Sequence, residues 1–257
     1  MEPTVLYEDK DILAINKPAG LVVHSDGKTT EPTLVDWLLK RYPETSPVRD
    51  REGSQREFIS NGIKNVGESW QSPKGQEILR SGIVHRLDRE TSGVMLVAKT
   101  EQAFKTLKEQ FQNHEIKKTY HAFVYGKMKV KKGTINRPIG RSNKDFRMWS
   151  AQRGARGEMR DAVTEYIVLN TKEGYSFVEV HPKTGRTHQI RVHFKAISNP
   201  LVSDSLYAPG RENTIGFKRL ALHSHEVEFK GPDGKSHTVK APYPEDFEKA
   251  VLWLQSV

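Results

Sequence analysis

Short apolar runs, separated by polar and glycine-containing turns, predict a chain built mainly of strands. Three pairs of runs flank a short turn and predict antiparallel hairpins, at 5–7 with 12–15, 162–169 with 175–181, and 227–229 with 236–239. Residues 93–98 and 118–124 have the pattern of further strands, and residues 21–24 are predicted to be extended after a break at Lys17-Pro18-Ala19-Gly20.

Helical spacing of apolar residues occurs in fewer places. Thr33 precedes one such stripe, and Asp36 makes a near capping box with it, with Asp in place of Glu. Thr100 and Thr187 are predicted to cap two further helices, and residues 247–254 form a last amphipathic pattern. Because strands outnumber helices and hairpins recur, the sequence predicts the α+β class with a largely antiparallel sheet.

A polar segment interrupts this pattern between about residues 43 and 75. Charged, serine and glycine residues dominate it, which favours a long surface loop. The chain of 257 residues is long enough for one large domain. We therefore expect a single domain, 1–257, with a flexible insertion at about 43–75, for which a tolerated insertion is a simpler explanation than a specific role.

Basic residues outnumber acidic ones, with 41 Lys and Arg against 32 Asp and Glu and a formal net charge of +9. Such a surface favours phosphate polyanions. Anionic lipid is the rival partner, but the sequence has no long basic amphipathic helix. Apolar runs are far shorter than the roughly 20 residues that span a bilayer. With no secretory signal evident and no cysteine present, we expect a cytoplasmic protein without membrane contact.

The first segment that carries chemistry is GIVHRLDRETSG, residues 82–93, directly before a predicted buried strand. Asp88 lies between Arg86 and Arg89, which favour the ionised carboxylate even when it is partly buried. Such a carboxylate can act as a nucleophile, a general base or a metal ligand. The charge pattern by itself favours a simpler interpretation, a solvated turn with a local salt bridge.

The second segment is TGRTHQIRVHF, residues 184–194. Arg191 follows the apolar Ile190 around the predicted helix, and its guanidinium can hold a carboxylate or clamp a phosphate. His188 and His193 are five residues apart, one more than in a helical zinc site, so a metal is weakly supported. The simpler interpretation is an amphipathic helix with a basic outer face.

Four segments together resemble the RluA family of pseudouridine synthases. They are DKDILAINKPAGLVVH (9–24), HRLDRETSG (85–93), KKTYHAFVYG (117–126) and TGRTHQIRVH (184–193), and they occur in the order found in that family. The second of these strings is highly specific. The four segments span most of the chain, and their joint occurrence leaves little room for chance.

The resemblance implies a central mixed, mostly antiparallel sheet flanked by helices and loops, with the active cleft across its middle. It implies an enzyme that isomerises specific uridines in structured RNA without a metal or a cofactor. Asp88 is then the catalytic carboxylate, Tyr120 packs against the target base and is the candidate for removing the C5 proton, and Arg191 pairs with the carboxylate. Arg86 helps displace the base from its stack, and Ile190 forms an apolar wall of the pocket.

The same segments supply further candidates for RNA or substrate binding: Lys17, His85, Thr91, Arg186, His188 and Gln189. The basic run at 127–132 is either an RNA contact or a solvated turn. We expect a monomer that binds RNA.

The chain departs from the family at two places. Many members carry an N-terminal S4 RNA-binding domain, whereas the first motif here begins within the first dozen residues, so we expect target choice to rest on the catalytic domain and its loops. Ser203 precedes Asp204 where members commonly have glycine, which bears on local backbone geometry. Members act on ribosomal RNA, transfer RNA or both. Residues 133–141 resemble the large-subunit branch, and ribosomal RNA is the expected substrate.

Two rival functions remain open. A metal-dependent hydrolase would use His85, Asp88, His188 and His193, but it leaves the order of the four motifs unexplained. An RNA-binding or chaperone module with little catalysis would keep its function without the Asp88 carboxylate. The intact catalytic set argues against the second alternative.

Overall fold

The computed structural model describes residues 2–24, 30–42, 69–71, 77–79, 81–152 and 155–256. The chain forms two compact units. The first unit comprises Met1–Arg89, Val94–Ile116 and Phe229–Val239, and the second comprises Glu90–Gly93, Lys117–Glu228 and Lys240–Val257. The prediction of a single domain stays a prediction.

The strands are β1 (Thr4–Glu8), β2 (Ile12–Lys17), β3 (Ser69–Gln71), β4 (Glu77–Leu79), β5 (Ser92–Ala98), β6 (Lys117–Tyr125), β7 (Lys132–Asn136), β8 (Ile139–Arg141), β9 (Trp149–Ser150), β10 (Arg156–Arg160), β11 (Val163–Lys172), β12 (Tyr175–Pro182), β13 (Leu222–Lys230) and β14 (Ser236–Lys240). The helices are α1 (Leu34–Arg41), α2 (Glu101–Gln112), α3 (Gln189–Ala196) and α4 (Glu245–Gln255). Within the part of the chain that the structure describes, no helix has the length and apolar character needed to cross a membrane.

The first unit contains a hairpin and two helices with side-chain caps. Strand β1 pairs antiparallel with β2, and β2 lies beside β5. The backbone N–H of Thr33 donates to the Asp36 carboxylate at 2.7 Å and the Thr33 hydroxyl accepts from the Asp36 N–H, so the predicted capping box is confirmed. Thr100 caps α2 as predicted, because its hydroxyl accepts a hydrogen bond from the Ala103 N–H at 3.2 Å.

The second unit is built on a sheet with the strand order β13-β6-β12-β11-β7, in which all neighbours are antiparallel. Ser92 and Gly93, the first residues of β5, pair in parallel with β13. A separate three-stranded sheet has the order β10-β8-β9. The predicted α+β class with a mixed, mostly antiparallel sheet is confirmed.

The two sides of β6 pack into different cores of the second unit. Ala122 and Val124, with Tyr120 against them, pack on the side of α3. Phe123 and Tyr125 pack on the opposite side with α4. Because successive side chains of a strand point to opposite faces, Tyr120 belongs to the α3 side.

Two predictions about irregular segments need correction. Residues 21–24 are predicted to be extended, but Val23 and His24 form a bend; the carbonyl groups of Val22 and Val23 accept hydrogen bonds from the first N–H groups of α1, at 2.8 and 3.2 Å. Ser69–Gln71, inside the predicted loop 43–75, is strand β3 and pairs with β4. The rest of that predicted insertion, apart from these three residues, lies outside the described residues.

A histidine cluster occupies the α4 side of the second unit. The rings of His121 and His225 are stacked with centroids 4.4 Å apart, and Nδ1 of His121 lies 2.5 Å from the Tyr243 hydroxyl oxygen. Burial lowers the pKa of His121 to about 4 and the pKa of His223 to about 3, with the charge of neighbouring His225 as a further cause. These imidazoles are therefore neutral packing groups near pH 7.

The cluster predicts that the protein loses stability in mild acid. Since the folded-state pKa values of His121 and His223 lie below the ordinary value of 6.5, the unfolded chain binds more protons between these values. The free energy of unfolding should therefore fall as the pH drops from about 6.5 towards 4, by up to about 1.4 kcal/mol per pH unit for each fully responding ring. Urea unfolding at a series of pH values measures this slope.

The variant His225→Phe provides the comparison. A phenyl ring keeps the stack and removes both a titrating group and one cause of the lowered pKa of His121, so the slope should become shallower. A slope identical to that of the unchanged protein would assign the acid sensitivity to other groups.

Candidate active site

The segment that contains Asp88 is fixed at its start by His85. The His85 ring stacks on Phe111 with centroids 4.5 Å apart, and its Nε2 accepts a hydrogen bond from the Leu96 N–H at 2.8 Å. Leu87, two residues further on, is buried in the same unit. The His85 ring thus ties the start of the segment to α2 and β5.

Lys17 fixes the other end of the segment. This side chain is fully buried, and its ammonium donates to the carbonyl oxygens of Pro18, Leu21 and Arg89 at 2.9, 2.9 and 3.0 Å. The Gly20 N–H donates to the same Arg89 carbonyl at 2.8 Å. Because an ammonium has three donors and all three are engaged, Lys17 shapes the loop around Asp88 from below the surface.

Between His85 and the Lys17 contact at Arg89, the residues of the segment differ in how far they are buried. Leu87 is 4% exposed, whereas Arg86 is exposed and Asp88 is half-buried. The anchors on either side therefore hold the backbone around Asp88, which itself stays partly exposed.

The end of the motif lies in the second unit and is tightly constrained. Gly93 has φ of +112°, and a Cβ there would lie 2.1 Å from the Ser224 carbonyl oxygen, so only glycine fits. Ser92 Oγ lies 2.9 Å from Nδ1 of His223. Thr91 is 2% exposed, and its hydroxyl has no hydrogen-bond partner among the described residues.

Tyr120 is half-buried on β6, opposite Ser224 of β13. Directly opposite residues of an antiparallel pair face the same side, so both lie on the α3 side of the sheet. Ser224 is 1% exposed, and within the described chain its hydroxyl lacks a hydrogen-bond partner. Lys118 is on the same side, and burial lowers its pKa to about 8. The sequence analysis did not identify Ser224 and Lys118 as neighbours of Tyr120. For Lys118, the alternation of side chains along the strand that contains Tyr120 could have indicated the shared face.

Gln189 organises the turn that precedes α3. Its Oε1 accepts hydrogen bonds from the Thr184 hydroxyl at 2.6 Å and from the Arg186 N–H at 3.0 Å. Its Nε2 donates to the Val163 carbonyl and the Thr164 hydroxyl, both at 3.0 Å. All four hydrogen-bonding positions of the buried amide are thereby used. Gln189 therefore determines the shape of the turn.

The start of α3 differs from the prediction. His188 precedes the helix with φ of +56° and makes no side-chain cap, so the predicted cap at Thr187 is wrong. The left-handed conformation of His188 places Thr187 outside the first turn, where it is exposed. Ile190 and Phe194, four residues apart on the helix, are 6% and 0% exposed and form its buried side.

Arg191 is held by a buried carboxylate. Its Nε and Nη2 donate to Oδ2 and Oδ1 of Asp204, each at 2.8 Å. The two side chains are 9% and 0% exposed. The Asp204 carboxylate also accepts from the N–H groups of Leu206 and Tyr207, at 3.0 Å each. These charge-assisted bonds fix the orientation of the guanidinium.

Tyr207 supports the same guanidinium from its ring face. The Arg191 Cζ lies 5.1 Å from the ring centroid. The Tyr207 hydroxyl lies 2.9 Å from Nδ1 of His188 and accepts a hydrogen bond from the Trp149 N–H at 3.0 Å. Tyr207 therefore joins Arg191, His188 and strand β9. Sequence reasoning missed Asp204 and Tyr207 as supports of the site.

Ser203, just before Asp204, adopts φ of +56°. This left-handed conformation favours glycine, which is the physical reason for the glycine commonly found there in RluA-like sequences. The Ser203 hydroxyl donates to the Phe217 carbonyl and accepts from the Asn213 amide, both at 2.9 Å. These hydrogen bonds help to hold the strained residue.

His193 packs inside the second unit. Its Nδ1 and Nε2 lie 2.9 Å from the Thr164 hydroxyl and the Arg137 carbonyl, and burial lowers its pKa. Over the described ranges no group of three or more His, Cys, Asp or Glu residues is arranged to hold a metal ion.

The predicted site residues fall into two groups. In the second unit, helix α3 and the turn before it pack on the face of the sheet that carries Tyr120. The turn and helix supply Arg186, His188, Gln189, Ile190 and Arg191. Thr91 also belongs to the second unit. The Arg186 Nε donates to the Asp161 carbonyl at 3.0 Å. The first unit holds Asp88 together with Lys17, His85 and Arg86.

The fold and the four motifs define a class of RNA-modifying isomerase. The model of the RNA pseudouridylate synthase family matches residues 11–196, and the chain belongs to this family. It is an RNA pseudouridine synthase of the RluA type, and the resemblance inferred from the four motifs is confirmed.

Named relatives match nearly the whole chain. An uncharacterised RNA pseudouridine synthase of Synechocystis is 37% identical over 98% of this chain and 68% of its own length. Ribosomal large subunit pseudouridine synthase D of Xanthomonas campestris is 37% identical over 98% of this chain and 69% of its own length. An uncharacterised RNA pseudouridine synthase of Bacillus subtilis is 35% identical, with coverage of 98% and 72%.

Solved structures support the fold. Human RNA pseudouridylate synthase domain containing 4 superimposes with a TM-score of 0.69 at 22% identity, covering 98% of this chain and 92% of its own. Human RNA pseudouridylate synthase domain containing 1 gives 0.68 at 24% identity, with coverage of 95% and 84%.

The buried pair of Arg191 and Asp204 predicts a large effect of Asp204→Asn on stability. The amide keeps the shape of the side chain but removes the negative charge that Asp204 supplies to the buried guanidinium, which should lower the free energy of unfolding by about 3–5 kcal/mol. Urea unfolding followed by tryptophan fluorescence measures the change.

Glu165→Gln is the matched control. Glu165 Oε2 lies 2.9 Å from the Lys183 ammonium, but these side chains are 43% and 54% exposed. Its loss should change stability by less than about 1 kcal/mol. Equal, small effects of the two substitutions would contradict a structural role for the Asp204 carboxylate.

Proposed function

We propose that Asp88 is the catalytic carboxylate with which this RNA pseudouridine synthase attacks its target uridine. The observation that carries the proposal is the anchoring of its segment by His85 on one side and by the buried Lys17 ammonium on the other. A nucleophile has to be held in a fixed geometry before the substrate arrives. A half-buried carboxylate on a doubly anchored segment meets that requirement.

The chemistry of the reaction agrees with a carboxylate as its central group. Pseudouridine forms when the N1–C1′ bond breaks, the uracil turns and a C5–C1′ bond forms. A carboxylate that adds to C6 of the uracil, or that captures C1′ of the ribose, divides this change into easier steps. Both routes end with loss of the C5 proton and release of the carboxylate. The overall change is an isomerisation, so it requires neither an oxidant nor a group donor.

Tyr120 and Arg191 complete the proposed catalytic set. Tyr120 packs against the uracil and removes the C5 proton through its phenolate oxygen. Its half-buried ring on the α3 side of the sheet suits the packing part of this role. Arg191 pairs with the catalytic carboxylate, as the family resemblance implies. Its fixed orientation between Asp204 and Tyr207 supports that role, because a preorganised charge needs no rearrangement during the reaction.

The other candidates divide into RNA contacts and supports. A target base inside a helix is out of reach, so it has to be flipped at a cost of a few kcal/mol. The exposed Arg86 displaces the base, and Ile190 forms an apolar wall of its pocket. Thr91, Arg186 and His188 contact the nucleotide or its phosphates.

Three residues act by positioning. Lys17, His85 and Gln189 have the buried or backbone-directed contacts described above, so they hold the loops that carry the reacting groups.

Asp88→Asn should abolish pseudouridine formation while RNA binding is largely kept. The amide has almost the same shape but cannot act as a nucleophile, so the rate should fall to below about one thousandth of that of the unchanged enzyme. Pseudouridine is counted in an unmodified large-subunit ribosomal RNA transcript after incubation with each protein, and RNA affinity is measured in parallel.

The control for this experiment is Asp233→Asn, an exposed aspartate in the β13–β14 turn of the same unit. It should leave the rate unchanged. Near-normal activity of Asp88→Asn would overturn the assignment of Asp88. Full cellular function of an inactive Asp88→Asn protein would instead favour the alternative of an RNA-binding or chaperone module.

We propose large-subunit ribosomal RNA, in the cytoplasm, as the substrate, with transfer RNA as the alternative. Two observations support this choice. A relative that is 37% identical over 98% of this chain is named a ribosomal large subunit pseudouridine synthase, and residues 133–141 resemble that branch. The net charge of +9 suits either RNA and does not discriminate.

Mapping pseudouridines in all cellular RNA with and without the gene tests the substrate. We expect loss of one or a few pseudouridines in large-subunit ribosomal RNA, with restoration by the unchanged gene and not by Asp88→Asn. Loss confined to transfer RNA would establish the alternative substrate.

A further inference from the structure

We propose that the loop between β8 and β9, residues 142–148, is a stacking platform on which Phe146 binds an unpaired base of the RNA substrate. The proposal rests on the proposed function in one respect, that the substrate is RNA. It adds a second contact point for that RNA, outside the four motifs.

Phe146 is largely exposed to solvent. Its side chain is 83% exposed, more than the other exposed large hydrophobic residues of the described chain, of which Leu252 at 64% and Val130 at 56% come next. A phenyl ring so exposed adds almost nothing to the hydrophobic stabilisation of the protein, because that term depends on the area removed from water. Packing in the folded protein therefore does not explain this residue.

The loop that presents Phe146 is nevertheless well defined. The Ser142 N–H donates to the Met148 carbonyl, and the Met148 N–H donates to the Asp145 carbonyl, both at 3.0 Å. Arg141 Nη1 donates to the carbonyl of Phe146 itself at 3.1 Å. These bonds fix the backbone on both sides of the ring, so the conformational entropy of presenting it is lost before RNA binds.

Charged side chains make one contact within this loop and one between the strands that flank it. Arg147 donates through Nη2 to the Asp145 carboxylate at 2.6 Å, and this contact lowers the pKa of Asp145 to about 2. Arg141 lies over the Trp149 ring with its Cζ 4.4 Å from the centroid. The exposed aromatic ring thus stands on a loop braced by charged side chains.

The charge around the ring favours RNA as the partner. Residues 139–160, outside the undescribed pair 153–154, contain five basic side chains and two acidic ones, Asp145 and Glu158. The basic residues are Arg141, Lys144, Arg147, Arg156 and Arg160, all of them exposed. An aromatic ring for stacking, surrounded by positive charge for phosphates, is the combination that binds unpaired nucleotides.

The platform is mounted on the residues that support Arg191. The Trp149 N–H donates to the Tyr207 hydroxyl at 3.0 Å, and Trp149 and Met148 pack on the buried cluster that contains Val192 and Tyr207. Tyr207 in turn carries the Arg191 guanidinium on its ring face. A base held by Phe146 is therefore fixed with respect to Arg191 through one side chain.

The test compares four substitutions by the KM and the single-turnover rate for pseudouridine formation in an unmodified large-subunit ribosomal RNA transcript. Phe146→Ala removes the ring, Phe146→Leu keeps an apolar side chain without a π face, and Phe146→Trp restores one. Leu252→Ala, at an exposed position of α4, is the matched control for loss of an exposed hydrophobic side chain.

Loss of one stacked base corresponds to a loss in affinity of roughly 5- to 150-fold. We expect Phe146→Ala and Phe146→Leu to raise KM by this factor, with the single-turnover rate at saturation within about twofold of the unchanged enzyme. Phe146→Trp and Leu252→Ala should leave KM near its original value. Melting temperatures should be equal, since the ring packs on little. A KM for Phe146→Ala equal to that of Leu252→Ala overturns the platform and leaves the proposed function intact.

Failure of the proposed function gives a different result. If the unchanged enzyme makes no pseudouridine in this transcript, the substrate proposal fails, whereas the platform is still tested by the fluorescence of Phe146→Trp. Quenching by the same RNA, beyond that of the native tryptophans, supports the platform. Equal quenching of Phe146→Trp and the unchanged protein overturns it.

Discussion

The candidate site residues of the second unit depend on the ion pair between Arg191 and Asp204. Removing two charges from water costs several kcal/mol each, and the pair is tolerable only when every remaining hydrogen-bonding position is satisfied. Asp204 meets this condition through two guanidinium bonds and two backbone N–H groups. The same bonds determine the path of the chain after Ser203, so the carboxylate positions Tyr207 as well as Arg191.

The first unit uses a related device with the opposite sign of charge. The buried Lys17 ammonium is satisfied by three carbonyl oxygens, one of which belongs to Arg89, the residue after Asp88. Backbone carbonyls carry no formal charge, so the cation is stabilised without being neutralised by a side chain. In both units a buried ion with satisfied hydrogen bonds holds part of the proposed site: Lys17 holds the backbone beside Asp88, and Asp204 holds the guanidinium of Arg191.

The regular elements could be predicted from the sequence because their signals are local. Two helices begin after residues that cap them with their own side chains, Thr33 (together with Asp36) and Thr100. The turn at 232–234 likewise indicates the hairpin of β13 and β14. The catalytic candidates came from strings of residues whose order matches a family, which carries information that spacing alone lacks. The cap at Thr187 failed because His188, in the left-handed conformation, is the residue that precedes the helix, which the local sequence does not indicate.

The contacts between residues far apart in the chain could not be predicted from the sequence. Nothing in the string around Lys17 distinguishes a buried ammonium from a solvated one, since its three acceptors include a residue 72 positions away. The supporting roles of Asp204 and Tyr207 likewise become visible only in the folded protein, where they contact Arg191 and His188.

Strand β6 illustrates how one sequence serves two purposes at once. Tyr120 and His121 are neighbours, yet the strand period sends Tyr120 to the α3 side and His121 into the histidine cluster on the α4 side. The pKa of His121 is lowered to about 4 by burial, so it adds no charge behind the sheet near pH 7. The motif that contains Lys118, Tyr120 and His121 therefore need not be read as one catalytic group. His121 lies on the opposite face from the other two, and the proposed proton acceptor, Tyr120, lies on the side of α3.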